Sequence, residues 1–229
     1  MNIAIILAAG KSKRMKGTNK IFYKIRGKPL IFYTLSVFEK NPQIDKIILV
    51  TREKFLKNTF SLIKKYKFKK VVKIIKGGEK RQDSAFNALK MAQKLKAKAG
   101  DLILFHNGAN PLISQEEIFN VIKAAKKHKA ALSAQVVKDT LKKITKHGFV
   151  AKTIDRKNIY SAQTPQVIEY QLAKKAFEKA FKEKFYGTDD IALVEKLKKK
   201  VKVVPCSYKN IKVTTKEDLG IIEKLLRNR

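Results

Sequence analysis

The sequence predicts an α/β fold, a mostly parallel twisted sheet flanked by helices, and three observations carry that expectation. Apolar runs of strand length alternate with stretches whose apolar residues recur at helical spacing, the rhythm of βαβ units. The first run, Ile3-Ala4-Ile5-Ile6-Leu7, passes directly into Ala8-Ala9-Gly10 and a cluster of cations, as a buried parallel strand hands over to a loop at its carboxyl end. Only between Val136 and Ile159 does the rhythm change, to short extended runs around the turn signal Lys146-His147-Gly148.

Taken in order, Ile3 to Leu7 reads as a strand, Pro29 to Phe38 as a helix and Lys46 to Thr51 as a strand. Phe55 to Lys65 is a helix by its apolar spacing, Val71 to Ile75 a third strand, and Gln82 to Lys96 a helix. Leu102 to Phe105 is a fourth strand, Gln115 to His128 a helix and Ala131 to Val136 a further strand. The Gly148 region is a hairpin, an arm over about 137–158 projecting from a single domain that spans 1–229. The chain then returns through Thr164-Pro165-Gln166 to helices at Tyr170 to Glu183 and Thr188 to Lys198, a strand at Val201 to Pro205 and a closing helix from Thr215 to Leu226. Right-handed crossovers put the carboxyl ends of the strands along one edge, where Gly10, Gly77-Gly78 and His106 to Pro111 all fall. Three site loops share one rim.

Composition narrows the setting. At 229 residues the chain buries a core without disulfides or structural metal. Cys206 has no partner, and His106, His128 and His147 are too scattered for zinc-ligand spacing, so a reducing cytoplasm is the expected location. The first apolar run stops at Gly10, short of a membrane span and without the features of a secretory signal, which predicts a soluble protein with no membrane partner. The formal charge of +34 invites a nucleic-acid reading. Yet 46 of the 53 basic residues are Lys, spread over nearly every segment, and Arg patches interleaved with aromatics are missing, so nonspecific polyanion binding at low salt is the consequence expected.

The loop chemistry points to a nucleotide. Small side chains at Ala8, Ala9 and Gly10 let backbone N–H groups approach a ligand, while Arg14 and Lys20 supply charge to a polyphosphate. Neither Gly-x-x-x-x-Gly-Lys-Ser/Thr nor Gly-x-Gly-x-x-Gly occurs, which sets kinase and dehydrogenase chemistry behind nucleotidyl transfer.

Leu7-Ala8-Ala9-Gly10 with Arg14-Met15 and Lys20, Gly77-Gly78 through Arg81 to Asp83-Ser84, Asp155-Arg156, Thr164-Pro165-Gln166, Thr188-Asp189-Asp190 and Asn210-Ile211-Lys212-Val213-Thr214 line up in order with one family. Over essentially its whole length the chain resembles the 2-C-methyl-D-erythritol 4-phosphate cytidylyltransferases. The resemblance implies a Rossmann-like nucleotidyltransferase fold, a homodimer joined through the hairpin, and Mg2+-assisted transfer of CMP from CTP to a polyol phosphate. It implies catalytic roles for Arg14, Lys20 and Lys212. The first two face the triphosphate and its pyrophosphate leaving group, and Lys212 steadies the α-phosphate. CTP selection falls to Ala8, Ala9, Gly10, Gly77, Gly78 and Ser84, and Ser84 also reads as a helix N-cap. Asp139, Thr140, Arg156 and Thr164 match positions that hold the polyol phosphate, the arm residues reaching across the dimer, and Thr188 and Asn107 complete that substrate site.

One loop departs from the family. Here it reads His106-Asn107-Gly108-Ala109-Asn110-Pro111, where the family has Asp at the second position and Arg at the fifth. Asn107, in place of the family's Asp, offers a metal only a carbonyl oxygen, and the exchange of both charged residues predicts weaker metal affinity or a different accepted substrate. Two alternatives therefore stay open: a cytidylyltransferase for another polyol phosphate such as ribitol 5-phosphate, and a noncatalytic binder of nucleotide or RNA.

Overall fold

The structure is a computed structural model that describes residues 1–15 and 19–227, apart from the side chain of Lys13. It begins with β1 (Asn2–Leu7), a small hairpin of β2 (Lys24–Ile25) and β3 (Lys28–Pro29), α1 (Leu30–Lys40), β4 (Lys46–Thr51) and α2 (Leu56–Lys65). There follow β5 (Val71–Lys76), α3 (Arg81–Lys94), β6 (Leu102–Asn107), α4 (Gln115–His128) and β7 (Ala130–Val136). After an arm of β8 (Leu141–Ile144) and β9 (Val150–Ile154) come β10 (Tyr160–Glu169), α5 (Tyr170–Lys182), α6 (Ile191–Lys196), β11 (Lys202–Pro205) and α7 (Lys216–Arg227).

The central sheet has seven strands in the order β11-β7-β10-β6-β1-β4-β5. Pairing is parallel for β1 with β4 and β6, β4 with β5, and β7 with β11; β10 alone runs against its neighbours. Because strand side chains alternate faces, Ala4 and Ile6 of β1, Leu49 of β4 and Leu104 of β6 pack with α1, α4 and α7 on one side. On the other, Ile3, Ile5, Ile48, Ile103 and Phe105 meet α3, α5 and α6. Burial on both faces explains why these strands read as unbroken apolar runs. Each fully buried side chain of this kind, such as Phe105 at 0% exposure, contributes about 1.5–3 kcal/mol.

Most expected elements are present within a residue or two. The exception is β10, because the sequence reading takes Thr164-Pro165-Gln166 as a connection. It lies instead in a ten-residue strand between β6 and β7. Pro165 disguises it: a residue without an N–H reads as a strand breaker, but here it falls where the register with β7 shifts between Ala162 and Gln166, a position that tolerates the missing donor. The helix expected over Thr188 to Lys198 is shorter, starting at Ile191, because Asp189 and Asp190 are engaged in the side-chain network described below.

The arm matches expectation. Its strands pair only with each other, and Ile144, Phe149 and Val150 are exposed at 59%, 74% and 62%.

Candidate active site

Backbone bonds extend the sheet past its carboxyl edge and set the site loops side by side. Ala8 N donates to Val50 O at 2.8 Å, Gly77 N to Thr51 O at 2.8 Å and Gly108 N to Leu7 O at 2.9 Å. The close approach requires glycine at position 77: a Cβ there would stand 2.5 Å from Ala9 Cβ and 2.8 Å from Ser84 Oγ. Between these loops and the segment before α7 opens a cleft of about 490 Å³, within the size range of small-molecule sites.

Its walls hold Ala8, Ala9, Gly10, Arg14, Lys20, Gly78, Ser84, Asn107 and Lys212, so most of the expected nucleotide and catalytic residues come together. Gly77 stands behind the wall against Ala9 and Ser84. Lys20 Nζ donates to Val213 O at 2.7 Å, and Val213 N to Ala109 O at 2.9 Å, which ties the segment carrying Lys212 to two of the loops. Asp218 anchors the same segment by accepting from Thr214 N and Thr215 N.

The electrostatics of the cleft are unfavourable to its own cations. Burial lowers Lys20 to about 8, with repulsion from Lys212 and Arg14 adding to the effect and Asp218 opposing it. Lys212 is lowered too, by desolvation between the cleft walls and then by Arg81 and Arg14. Because folding depresses the Lys20 value, its charge costs the protein stability below about 8, and an anion beside it would offset that cost. CTP affinity is therefore expected to hold steady up to about pH 8 and to fall above it, as Lys20 gives up the proton the anion needs. Calorimetric titration across that range checks this, and Lys20→Arg should move the fall to higher pH.

One expectation needs correction. Ser84 is not the N-cap of its helix, because α3 starts three residues earlier and Lys80 N donates to Asp83 Oδ2 at 2.8 Å. The Ser84 hydroxyl accepts from Gly78 N at 3.0 Å and donates to Lys80 O, holding the glycine loop. The two asparagines of the β6 loop have different surroundings. Asn107 lines the cleft, with its N–H and Nδ2 directed at Thr164 Oγ1, at 3.3 and 3.4 Å. Asn110 is wholly buried and donates to Asn210, which in turn donates to Thr164 O at 2.8 Å. His106 belongs to the core: its ring packs on Phe38, Nε2 lies 3.0 Å from Asn110 O, and burial pushes it down to about 4.

Asp139, Thr140 and Arg156 are exposed on the arm segment, Thr188 is exposed before α6, and none of them lines the cleft. No cluster of three His, Cys, Asp or Glu side chains is placed to hold a metal among the described residues. With an amide at position 107 and Glu79 the single carboxylate among the lining residues, the donor set does not fit a protein-held divalent metal.

Sequence reasoning missed a buried network behind the cleft. Gln166, 2% exposed, accepts from Asp190 N and Ile191 N and donates to Asp189 Oδ2 at 2.7 Å. Asp190, 1% exposed, accepts from Arg81 Nη2 at 2.6 Å. The signal was the recurrence of polar residues in Thr164-Pro165-Gln166 and Thr188-Asp189-Asp190, but no spacing rule pairs residues so far apart.

The family of 2-C-methyl-D-erythritol 4-phosphate cytidylyltransferase (IspD) matches over residues 2–228. A protein of that name from Caldanaerobacter subterraneus subsp. tengcongensis is 43% identical over 99% of this chain and 100% of its own. Another from Dehalococcoides mccartyi is 44% identical over 98% and 95%. Among solved structures, 4-diphosphocytidyl-2C-methyl-D-erythritol synthase from Anaerococcus prevotii superposes with a TM-score of 0.86 at 32% identity, covering 99% of this chain and 98% of that one. The Francisella tularensis cytidylyltransferase gives 0.83 at 33%, covering 97% and 98%. With the fold and the full-length matches in agreement, the chain belongs to the 2-C-methyl-D-erythritol 4-phosphate cytidylyltransferase family.

Proposed function

We propose that the cleft transfers CMP from CTP to 2-C-methyl-D-erythritol 4-phosphate with release of pyrophosphate, in isoprenoid precursor synthesis in the cytoplasm. The observation that carries this reading is the convergence of Arg14, Lys20 and Lys212 on one cleft beside the Ala8-Ala9-Gly10 loop. A phosphate oxygen of the acceptor attacks the α-phosphorus of CTP, one P–O bond forms as the bond to the β-phosphate oxygen breaks, and the pair of electrons leaves with pyrophosphate. Negative charge crowds on the reacting center, so fixed cations are the main requirement and no protein nucleophile is needed. Lys20 and Arg14 take the leaving triphosphate end, Lys212 the α-phosphate, and the small side chains and Ser84 frame the base.

Mg2+ belongs in this reading to the CTP complex, held by phosphate oxygens, since Asn107 brings no charge to it. Asn107→Asp, which returns a carboxylate to the cleft wall, is expected to tighten Mn2+ binding to the protein–CTP complex about tenfold, read by the electron paramagnetic resonance of free Mn2+.

The arm supports a homodimer. A two-stranded hairpin is marginal alone in water, and this one exposes Phe149 and Val150, so a second copy would cover it and bring Asp139, Thr140 and Arg156 to the other cleft. The dense lysines predict nonspecific polyanion binding that fades with salt. Asn110, buried and bonded to Asn210 where the family has Arg, favours testing a second acceptor. Parallel reactions with 2-C-methyl-D-erythritol 4-phosphate and ribitol 5-phosphate decide between them. A higher kcat/KM for the first upholds the reading, and a higher one for the second replaces it.

A further inference from the structure

Arg81 is the first residue of α3, and its side chain, 32% exposed, lines the cleft. Its guanidinium donates one hydrogen bond to Asp190 behind the wall, Nη2 to Oδ2 at 2.6 Å. A guanidinium is a rigid planar fork with several donors, so anchoring one donor restricts the direction of the rest. We propose that Arg81 is a phosphate-binding residue of this cleft, donating to the phosphoryl group that Lys212 faces, and that Asp190 is its positioning residue. The proposal rests on the nucleotidyl-transfer reading above.

Two further observations support it. Arg81 and Lys212 both line the cleft, and Arg81 is the first of the like charges acting on Lys212, ahead of Arg14. A purely structural purpose for the ion pair is also a poor account of it. The neighbouring Gln82 already joins α3 to the loop before α6, donating to Phe185 O at 3.0 Å and accepting from Gly187 N at 2.9 Å. Desolvation offsets most of the attraction in a buried pair, so a second tie made of charges adds little stability. What it adds is a guanidinium held in one orientation at the cleft wall. Arg81 and Arg14 are the arginines of that wall, and Arg81 is the one with a buried carboxylate behind it.

The test is calorimetric titration of CTP and of inorganic tripolyphosphate into the parent, Arg81→Gln and Asp190→Asn proteins, each first shown to be folded by thermal unfolding. Arg81→Gln is expected to weaken CTP about tenfold to a hundredfold, the loss of one charge-assisted hydrogen bond. Asp190→Asn keeps the guanidinium but frees it, so kcat should fall while KM for CTP changes less than twofold. In the double variant Arg81→Ala with Asp190→Asn, which leaves no buried charge unpaired, added guanidinium should restore part of the lost rate. CTP affinity in Arg81→Gln equal to the parent's, or no response to guanidinium, overturns the proposal. If the parent binds CTP but releases no pyrophosphate, the transfer reading fails and the affinities still decide Arg81; if the parent binds neither anion, both fail.

Discussion

Replacing Lys20 with alanine should lower pyrophosphate release from CTP by about a hundredfold to a thousandfold, the scale seen when a fixed donor to a developing charge is removed. Two losses combine in this substitution. The cleft forfeits an ammonium that burial and two neighbouring cations have already made eager for an anion. It also forfeits the bond to Val213 O, which ties the Lys212 segment to the first loop. Lys20→Arg should recover part of the rate by keeping the charge, whereas Lys20→Gln should recover only the tie. Steady-state kinetics on the three variants separate the two contributions. Equal rates for the glutamine variant and the parent would show that charge at this position does not matter.

A different kind of failure is expected from Gln166→Leu. The new side chain is similar in size, but the buried Asp190 N and Ile191 N lose their acceptor, and the partly exposed Asp189 loses a donor. Each orphaned buried group costs about 1–3 kcal/mol, so a total of about 3–5 kcal/mol is expected. In a chain of this size that lowers the melting temperature by roughly 10 °C. Thermal unfolding of the variant is the check, and a fall of less than about 2 °C would mean that the network rearranges around the loss. Because Asp190 also holds Arg81, activity should drop in the protein that remains folded.

The parallel strands were legible because burial on both faces writes them as continuous apolar runs, as in Ile3 to Leu7 and Leu102 to Phe105. Helices such as α4 were legible from spacing, and the structure adds a cap, where Ser114 Oγ accepts from Glu117 N at 3.0 Å and Glu117 accepts from Ser114 N. β10 was not, because Pro165 mimics a break and its outer half, from Tyr160 to Ala162, is exposed and carries no apolar run. In the site, Arg14, Lys20 and Lys212 were found through motif order. Asn110 was read as a lost substrate contact, yet its burial against Asn210 depends on a residue a hundred positions away. The same reason hid the pairing of Arg81 with Asp190, since an ion pair between the starts of two helices has no signature in either.

The central claim is that this cleft moves a cytidylyl group without a protein nucleophile. The most direct test follows the α-phosphorus of labelled CTP in the presence of Mg2+ and 2-C-methyl-D-erythritol 4-phosphate, with Lys20→Ala alongside. The account predicts that label appears on the polyol phosphate in step with pyrophosphate, that none is retained on the protein, and that the variant is nearly silent. Label trapped covalently on the folded protein, or no transfer from a parent that binds CTP, would contradict it.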